Sequence, residues 1–262
     1  TDESMLDDAE ENPLAAVMFA DDDRAAVAFA ELSTGTFRVA EFTGEELRDE
    51  LARIAPRELL YVETANNVPP PRIKQIGDAL GVALTPRPSW HFRLDDARET
   101  LMRQFQVATL GGFGFEDDDP VIGPAGAVVA YLLETQRAED GRLRHLMPPR
   151  RYEQADHLVI DHVSLRSLEV ERTMRSGETA GSLLGALQDA RTAMGKRLLR
   201  QWLCYPLRDA EAIRARQDVV QAVVDDADLS DDLLKRLDTV QDVHRIASRI
   251  AIGRPSPRDL VA

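Results

Sequence analysis

The chain has 262 residues, of which 44% are hydrophobic and 30% charged, and its formal net charge is −14 at pH 7. It is too apolar to be disordered, and its length allows two modest domains, each with its own core. The longest apolar runs, at residues 14–20 and 125–133, are far shorter than the roughly 18 residues that a membrane-spanning helix needs.

The N-terminal composition, the cysteine count and the charge distribution narrow the class of protein further. The first eleven residues hold six acidic side chains and no basic region, so no secretory signal is expected. Cys204 is the single cysteine, which excludes an internal disulfide and a cysteine-rich zinc site and fits a reducing cytoplasm. Residues 1–63 carry 17 acidic and five basic side chains, and no stretch of the chain is strongly basic. We therefore expect little or no DNA binding by this chain itself.

The first half of the sequence predicts a mixed α/β domain. Residues 14–20 form an apolar run typical of a buried strand, and Ser33-Thr34-Gly35 is a good hairpin turn between the next two strands. Thr43 is suited to cap a helix that Pro56 ends. Strands are predicted at residues 14–20, 25–32, 36–42, 58–63 and 82–85, and helices at residues 44–54, 73–80, 95–106 and 126–136.

The second half predicts helices. Residues 137–151, which contain Gly141 and Pro148-Pro149, form the best boundary, and residues 158–160 are short and extended. Ser182 and Asp209 are predicted helix caps, and Ser230 is predicted to cap a turn. Helices are expected at residues 183–188, 195–205, 210–224 and 243–250. A capped helix that starts at Ser256-Pro257 has few residues left, so we expect the chain to be part of a longer protein.

Two glycine motifs fail as nucleotide-binding loops. Gly195-Lys196 lacks the first glycine and the final hydroxyl of a phosphate loop, because Ala190 and Arg197 occupy those positions. Gly112-Phe113-Gly114 fails the dinucleotide fingerprint, because Asp117 stands where the third glycine belongs. The first motif is predicted to start a helix, and the second to form a turn with Phe113 or Phe115 in the core.

No catalytic, cofactor or metal site is predicted. The triplets Asp21-Asp22-Asp23 and Asp117-Asp118-Asp119 are expected in solvated loops, because consecutive carboxylates point apart instead of converging on a cation. The five histidines lack metal spacing, although His157 and His162 flank the segment at 158–160, where a site remains possible. Cys204 is expected to serve packing.

Several strings of the sequence occur in a specific order and spacing. They are Gly181-Ser182-Leu183-Leu184-Gly185, Thr192-Ala193-Met194-Gly195-Lys196-Arg197-Leu198-Leu199, Trp202-Leu203-Cys204-Tyr205-Pro206-Leu207-Arg208-Asp209 and Ser248-Arg249-Ile250-Ala251-Ile252-Gly253-Arg254-Pro255-Ser256-Pro257-Arg258-Asp259-Leu260. Together they resemble the MutS family of DNA mismatch-repair proteins. The likeness extends upstream through Glu58-Leu59-Leu60-Tyr61 and Gly112-Phe113-Gly114, so that it covers almost the whole chain. Ser167 departs from the family, which usually has asparagine there.

The resemblance implies an α/β ribonuclease-H-like connector domain followed by a partial all-α core (lever) domain. Its implied limits are a linker at residues 1–12, the connector at 13–137 and the truncated core at 138–262. It further implies a homodimeric parent protein that clamps mismatched duplex DNA, uses ATP and Mg²⁺ at a distant site and recruits MutL, in the cytoplasm at the nucleoid. This segment has neither the family's Phe-x-Glu wedge nor its phosphate loop, so we expect no catalysis here.

The resemblance also implies a role for this segment. In the family the connector is the docking surface for MutL, and the matching helix here is residues 97–106. Its candidate MutL-binding residues, expected to be exposed, are Arg98, Glu99, Arg103 and Gln104; an ordinary solvated helix face is the alternative. Short capped helices joined by Pro and Gly turns are stiff units that can rotate about their joints, so we expect the segment to relay the nucleotide state.

A metal-dependent nuclease is the alternative function, because a ribonuclease-H-like sheet can carry two metal ions. That chemistry needs an aspartate on the first strand and further carboxylates nearby. Residues 14–20 contain no acid, and Asp21 comes only at the end of the strand, so the sequence disfavours this alternative. A divergent paralogue that serves meiotic or other repair is a third possibility.

Overall fold

The computed structural model describes residues 13–66, 68–136, 142–152, 157–158, 160–251, 253 and 255–260. They divide into two compact units. The sheet unit contains the described residues up to Tyr152 and those from Arg245 onward, and the helical unit contains those from His157 to His244. The predicted linker at residues 1–12 lies outside the described residues, as do residue 159 and part of the predicted boundary, residues 137–141.

The sheet unit is built on a mixed six-stranded sheet in the order β5-β4-β1-β2-β3-β6. The strands are β1 (Pro13–Phe19), β2 (Arg24–Glu31), β3 (Thr36–Thr43), β4 (Glu58–Val62), β5 (Ala83–Arg87) and β6 (Arg150–Arg151). Strands β1, β2 and β3 are antiparallel neighbours, whereas β4 is parallel to β1, β5 to β4 and β6 to β3. The five predicted strands are thus confirmed, and β6 is an addition that the sequence did not predict.

Four helices cover the two faces of this sheet. They are α1 (Gly44–Ile54), α2 (Pro71–Leu80), α3 (Leu94–Phe105) and α4 (Ile122–Thr135). One core contains buried side chains of α3 and α4, and the other contains those of α1 and α2. Alternation along β3 divides its side chains between them, with Phe37 and Val39 in the first core and Ala40 and Phe42 in the second. The predicted α/β domain is confirmed.

Helix α1 has the bounds that its sequence predicts, because its end signals are local. The Glu46 carboxylate accepts hydrogen bonds from the Thr43 N–H at 2.9 Å and from its hydroxyl at 2.8 Å. At the other end, Ala55 adopts a left-handed conformation with φ of +48° before Pro56. Both ends of this helix are therefore specified within a few residues of sequence.

Helix α4 begins at Ile122, four residues before the predicted start at Gly126. Pro124 is tolerated because it lies in the first turn, where its missing N–H has no partner within the helix. Gly126 lies against α3, because a Cβ at this position would be 2.4 Å from the Cβ of Ala97. Its backbone touches the neighbouring helix, so this glycine reflects packing and does not mark a helix boundary.

The helical unit contains α5 (His162–Ser167), α6 (Leu183–Leu187), α7 (Ala193–Cys204), α8 (Ala210–Asp225) and α9 (Ala227–Leu237); α10 (Val243–Ala251) follows. The predicted caps Ser182 and Asp209 accept hydrogen bonds from the N–H groups of Gly185 and Ala212. The prediction that Ser230 caps a turn is wrong. Asp226, which directly follows α8, caps α9 instead, because its carboxylate accepts a hydrogen bond from the Leu229 N–H at 2.9 Å. Ser230 therefore lies inside α9.

Candidate functional site

Helix α3 contains the residues that were predicted to bind a partner, and its two sides differ. Ala97, Leu101 and Gln104 are buried at a spacing of three and four residues. Glu99 and Arg103 are exposed on the opposite side, with side chains that are 76% and 63% accessible. The helix therefore has one face fixed against the sheet unit and one charged face that is open to solvent.

Ion pairs join charged side chains on the exposed face of α3. Glu99 and Arg103 form a pair one helical turn apart, with 3.9 Å between the carboxylate and the guanidinium. Arg98 is less open, because its guanidinium contacts Asp95 at 3.2 Å and also donates to the backbone carbonyl of Asp117. The structure thus brings Arg98, Glu99 and Arg103 to the outer side of one helix.

The expectation that Gln104 is exposed is wrong. Gln104 is only 6% exposed, and its side-chain amide donates to the carbonyl of Leu143 at 2.8 Å and accepts from the Leu143 N–H at 2.9 Å. It lies seven residues after Ala97 and three after Leu101, which places it on their side of the helix. That spacing was visible in the sequence, although the backbone partner, 39 residues away, was not.

Residues 142–152 run along the sheet unit, and we call them the strap. The limits implied by the family resemblance assigned all of them to the second domain, whereas here they belong to the sheet unit. The Met147 N–H donates to the Gly35 carbonyl at 2.8 Å, and the Tyr152 N–H donates to the Val39 carbonyl at 2.8 Å. A Cβ at Gly35, whose φ is +72°, would be 1.9 Å from the carbonyl oxygen of His145, so only glycine admits the strap there.

His145 is a buried titratable side chain in the strap. It is 8% exposed, and no partner within the described part of the chain reaches its Nδ1. Burial lowers the pKa of His145 from its ordinary value of 6.5. At a pH below 6.5 the unfolded chain therefore binds more protons than the folded chain. The free energy of unfolding should therefore fall as the pH falls from about 7, by at most about 1.4 kcal/mol per pH unit for one proton.

Urea unfolding at about pH 5.5 and about pH 7.5 measures this effect. The variant His145→Gln should lose part of the pH dependence, whereas His244→Gln, at an exposed position, should keep that of the wild type. An unchanged pH profile in His145→Gln would contradict the assignment.

A polar cluster at the β5 edge of the sheet was not predicted. The Glu58 carboxylate accepts hydrogen bonds from the Tyr131 hydroxyl at 2.7 and 2.9 Å. Burial and this carboxylate raise the pKa of Tyr131 to about 12, so the hydroxyl stays protonated and donates. Arg87 lies 5.1 Å from the centroid of the Tyr131 ring and pairs with Glu134. The residues of this cluster come from β4, β5 and α4. Because they are far apart in the sequence, no local motif indicates that they meet.

The two glycine motifs behave as predicted. Gly195 lies in the first turn of α7, where its N–H donates to the hydroxyl of Thr192 at 3.0 Å, and Thr192 is the cap that sequence reasoning missed. The second motif forms a short 3-10 turn at Gly111–Phe113, followed by Phe115, which is 5% exposed in the core.

One of the two aspartate triplets is not fully solvated. Asp119 is 5% exposed, because it accepts a hydrogen bond from the Val121 N–H and pairs with Arg151 of the strap, so the prediction of a solvated loop is wrong for this residue. Cys204 is fully buried, and His157 forms an isolated bridge with Leu207.

Asp21 at the end of β1 stabilises a turn. Its carboxylate accepts from the N–H groups of Asp23 and Arg24, and these bonds lower the pKa of Asp21. The described residues include no group of three or more His, Cys, Asp or Glu side chains that could hold a metal ion. No helix among them is long and apolar enough to cross a bilayer.

Comparison with known proteins gives the family. Residues 12–147 match the family model for MutS domain II, and residues 163–262 match that for MutS domain III. The chain is 40% identical to the DNA mismatch repair protein MutS of Rhodopirellula baltica, over 99% of this chain and 30% of that protein. The MutS proteins of Salinibacter ruber and Trichodesmium erythraeum are 35% and 36% identical, over 99% and 100% of this chain and 28% and 29% of theirs.

Two domain models in sequence order, and relatives that align with 99–100% of the chain, define it as a pair of consecutive domains of the MutS type. The chain belongs to the MutS family. It spans about 30% of the length of the curated relatives it matches.

Proposed function

We propose that this chain forms the connector and the first part of the core of a MutS-type mismatch-repair protein, and that the outer face of α3 binds MutL. In this proposal the sheet unit has a ribonuclease-H-like fold. The support is its strand order, in which the antiparallel strands β3, β2 and β1 are followed across the sheet by the parallel strands β4 and β5.

The observation that carries the docking proposal is the rigid presentation of the charged face of α3. The inner face is fixed at Ala97, which touches Gly126 of α4, and at Gln104, which is bonded to the strap. Glu99 and Arg103 are therefore presented on a helix that does not need to be ordered when a partner binds. Pre-organisation of this kind favours association, because less conformational entropy is lost.

The proposed role of the rest of the chain is mechanical. The helices of the helical unit are short and have side-chain caps, so each behaves as a stiff segment between turns. In the longer homodimeric protein, ATP and Mg²⁺ bind outside this segment, and mismatched duplex DNA is clamped elsewhere. The segment relays the nucleotide state between those parts without making or breaking covalent bonds.

Charge reversal on α3 tests the docking proposal. Glu99→Arg and Arg103→Glu should each weaken binding of the chain to MutL from the same genome by about tenfold, equivalent to about 1.4 kcal/mol. Both side chains are exposed, and exposed ion pairs of this kind contribute at most about 1 kcal/mol to stability, so the variants should remain folded. Isothermal titration calorimetry or surface plasmon resonance measures the dissociation constant.

Helix α9 supplies a matched control. Asp232 and Arg236 form an exposed pair with the same spacing of four residues, at 2.7 Å. Asp232→Arg and Arg236→Glu should bind MutL as the wild type does. If the α3 variants bind MutL as tightly as these controls, the outer face of α3 is not the docking surface.

A further inference from the structure

Trp90 is an exposed aromatic side chain directly before α3. It lies in a short 3-10 helix at Ser89–Phe92, in which Phe92 is buried and Trp90 is 51% exposed. Its hydrogen-bonded turn ends at Arg93, the residue that precedes α3. The indole ring therefore stands at the N-terminal end of the helix whose outer face is the proposed docking surface.

The two tryptophans of the chain have different surroundings. The guanidinium of Arg216 lies over the Trp202 ring, 3.9 Å from its centroid. Within the described residues, the ring neighbour of Trp90 is His91, in a T-shaped arrangement with 6.0 Å between the centroids, and no Arg or Lys side chain lies over the Trp90 ring. The face of a tryptophan ring attracts cations. At Trp202 this position is occupied by Arg216, whereas at Trp90 it is open within the described part of the chain.

Carboxylates outnumber cations among the charged groups that act on His91, the ring neighbour of Trp90. Burial and Arg87 lower the pKa of the neighbouring His91, whereas the carboxylates of Glu134, Glu63 and Asp96 act to raise it, and Glu134 lies 3.6 Å from the His91 Nε2. Glu134 belongs to α4 and Asp96 to the first turn of α3, whereas Glu63 directly follows β4. Carboxylates from three separate parts of the sheet unit therefore act on His91, the residue next to the exposed indole.

The start of α3 adds to this negative field. Asp95 is almost fully accessible, and Asp96 is half exposed. Arg93 and Arg98 offset part of the charge, at 3.8 Å from Asp96 and 3.2 Å from Asp95. The surface that joins Trp90 to Glu99 thus combines an open aromatic ring with exposed carboxylates.

We propose that Trp90 binds a cationic side chain of the protein that docks on α3, so that the docking partner presents a basic segment here. This inference rests on the proposed docking function and adds the chemistry of the partner. An arginine or lysine over the ring would gain the cation–π attraction of Trp90, and the exposed carboxylates of Asp95 and Asp96 in the first turn of α3 add attraction for a basic segment. The same carboxylates disfavour a nucleic-acid backbone.

Variants of Trp90 and of the two aspartates test this proposal on the intact chain. Trp90→Ala should weaken MutL binding by about tenfold, and Trp90→Phe should recover part of the loss because it retains a π face. Asp95→Asn combined with Asp96→Asn should weaken binding several-fold and reduce its salt dependence. Asp231→Asn combined with Asp232→Asn removes the same charge from α9 and should have no effect.

A second measurement uses acetylated tetra-arginine amide in place of MutL. It should bind the wild type about tenfold more tightly than Trp90→Ala, and tetraglutamate and a short DNA duplex should not bind at Trp90. Equal binding of tetra-arginine to both chains, or protection of Trp90 by the duplex, would overturn the proposal.

The two proposals can fail separately. If Glu99→Arg weakens MutL binding and Trp90→Ala does not, the docking surface stands and the basic contact is wrong. If MutL does not bind the chain but tetra-arginine binds at Trp90, the docking proposal is wrong and the cation-binding property of Trp90 stands.

Discussion

Replacing Arg197 by methionine should destabilise the helical unit by about 3 kcal/mol or more. Arg197 is 7% exposed, and its two terminal nitrogens donate to the two oxygens of Asp242 at 2.7 and 2.8 Å. Removal of the guanidinium leaves a largely buried carboxylate without its bidentate partner, which is more costly than losing an exposed pair. Chemical unfolding followed by circular dichroism measures the change.

Three further variants separate the ion pair from the size of the side chain. Arg197→Lys keeps the charge but cannot form both hydrogen bonds at once, so it should lose an intermediate amount of stability. Arg197→Met combined with Asp242→Leu should recover part of the loss, because no unpaired charge remains. Arg236→Met removes the cation of an exposed pair and should change stability by at most about 1 kcal/mol. A loss in Arg197→Met no larger than this would contradict the prediction.

The elements that the sequence predicts well are those whose signals are local. Thr43 and Glu46 fix the start of α1 through contacts three residues apart, and Gly35 supplies the left-handed turn between β2 and β3. Ser182 and Asp209 cap their helices in the same local way. In each case the residues that decide the structure are neighbours in the chain, so a single sequence contains the necessary information.

The features that the sequence did not predict depend on distant partners. Strand β6 has only two residues, and its register is set by pairing with β3 more than 100 residues earlier. Asp119 is buried because Arg151 pairs with it. A short polar segment between helices is predicted as a loop when its pairing partner is unknown. The strap, which falls within the residues assigned to the second domain, was for this reason not predicted to pair with the sheet.

For the candidate site, the sequence predicts the helix and three of its outward residues. The failure at Gln104 was avoidable, because its spacing from Ala97 and Leu101 already indicated the buried side. The sequence does not indicate that Trp90 is exposed, for a different reason. Whether an aromatic side chain is exposed depends on the packing around it, and in this short turn Phe92 is the residue that enters the core.

Replacing Gly126 by alanine should destabilise the sheet unit by about 1–3 kcal/mol. A Cβ at this position would be 2.4 Å from the Cβ and 2.6 Å from the Cα of Ala97, so the backbone of α3 has to move. Alanine otherwise favours a helix interior more than glycine does, so a loss of stability isolates the steric effect. Thermal or urea unfolding gives its size.

The same substitution connects packing to the proposed function, because α3 carries the proposed docking face. Outward movement of α3 should weaken the hydrogen bonds between Gln104 and Leu143 and speed hydrogen exchange in the strap. It should also reduce MutL affinity, even though Gly126 is buried and cannot contact MutL itself. Gly44→Ala is the matched control, since a Cβ there meets nothing within 4 Å and stability should change by at most about 0.5 kcal/mol. If Gly126→Ala were as stable as Gly44→Ala and bound MutL equally well, the close contact of α3 with α4 could not be what holds the docking face in place.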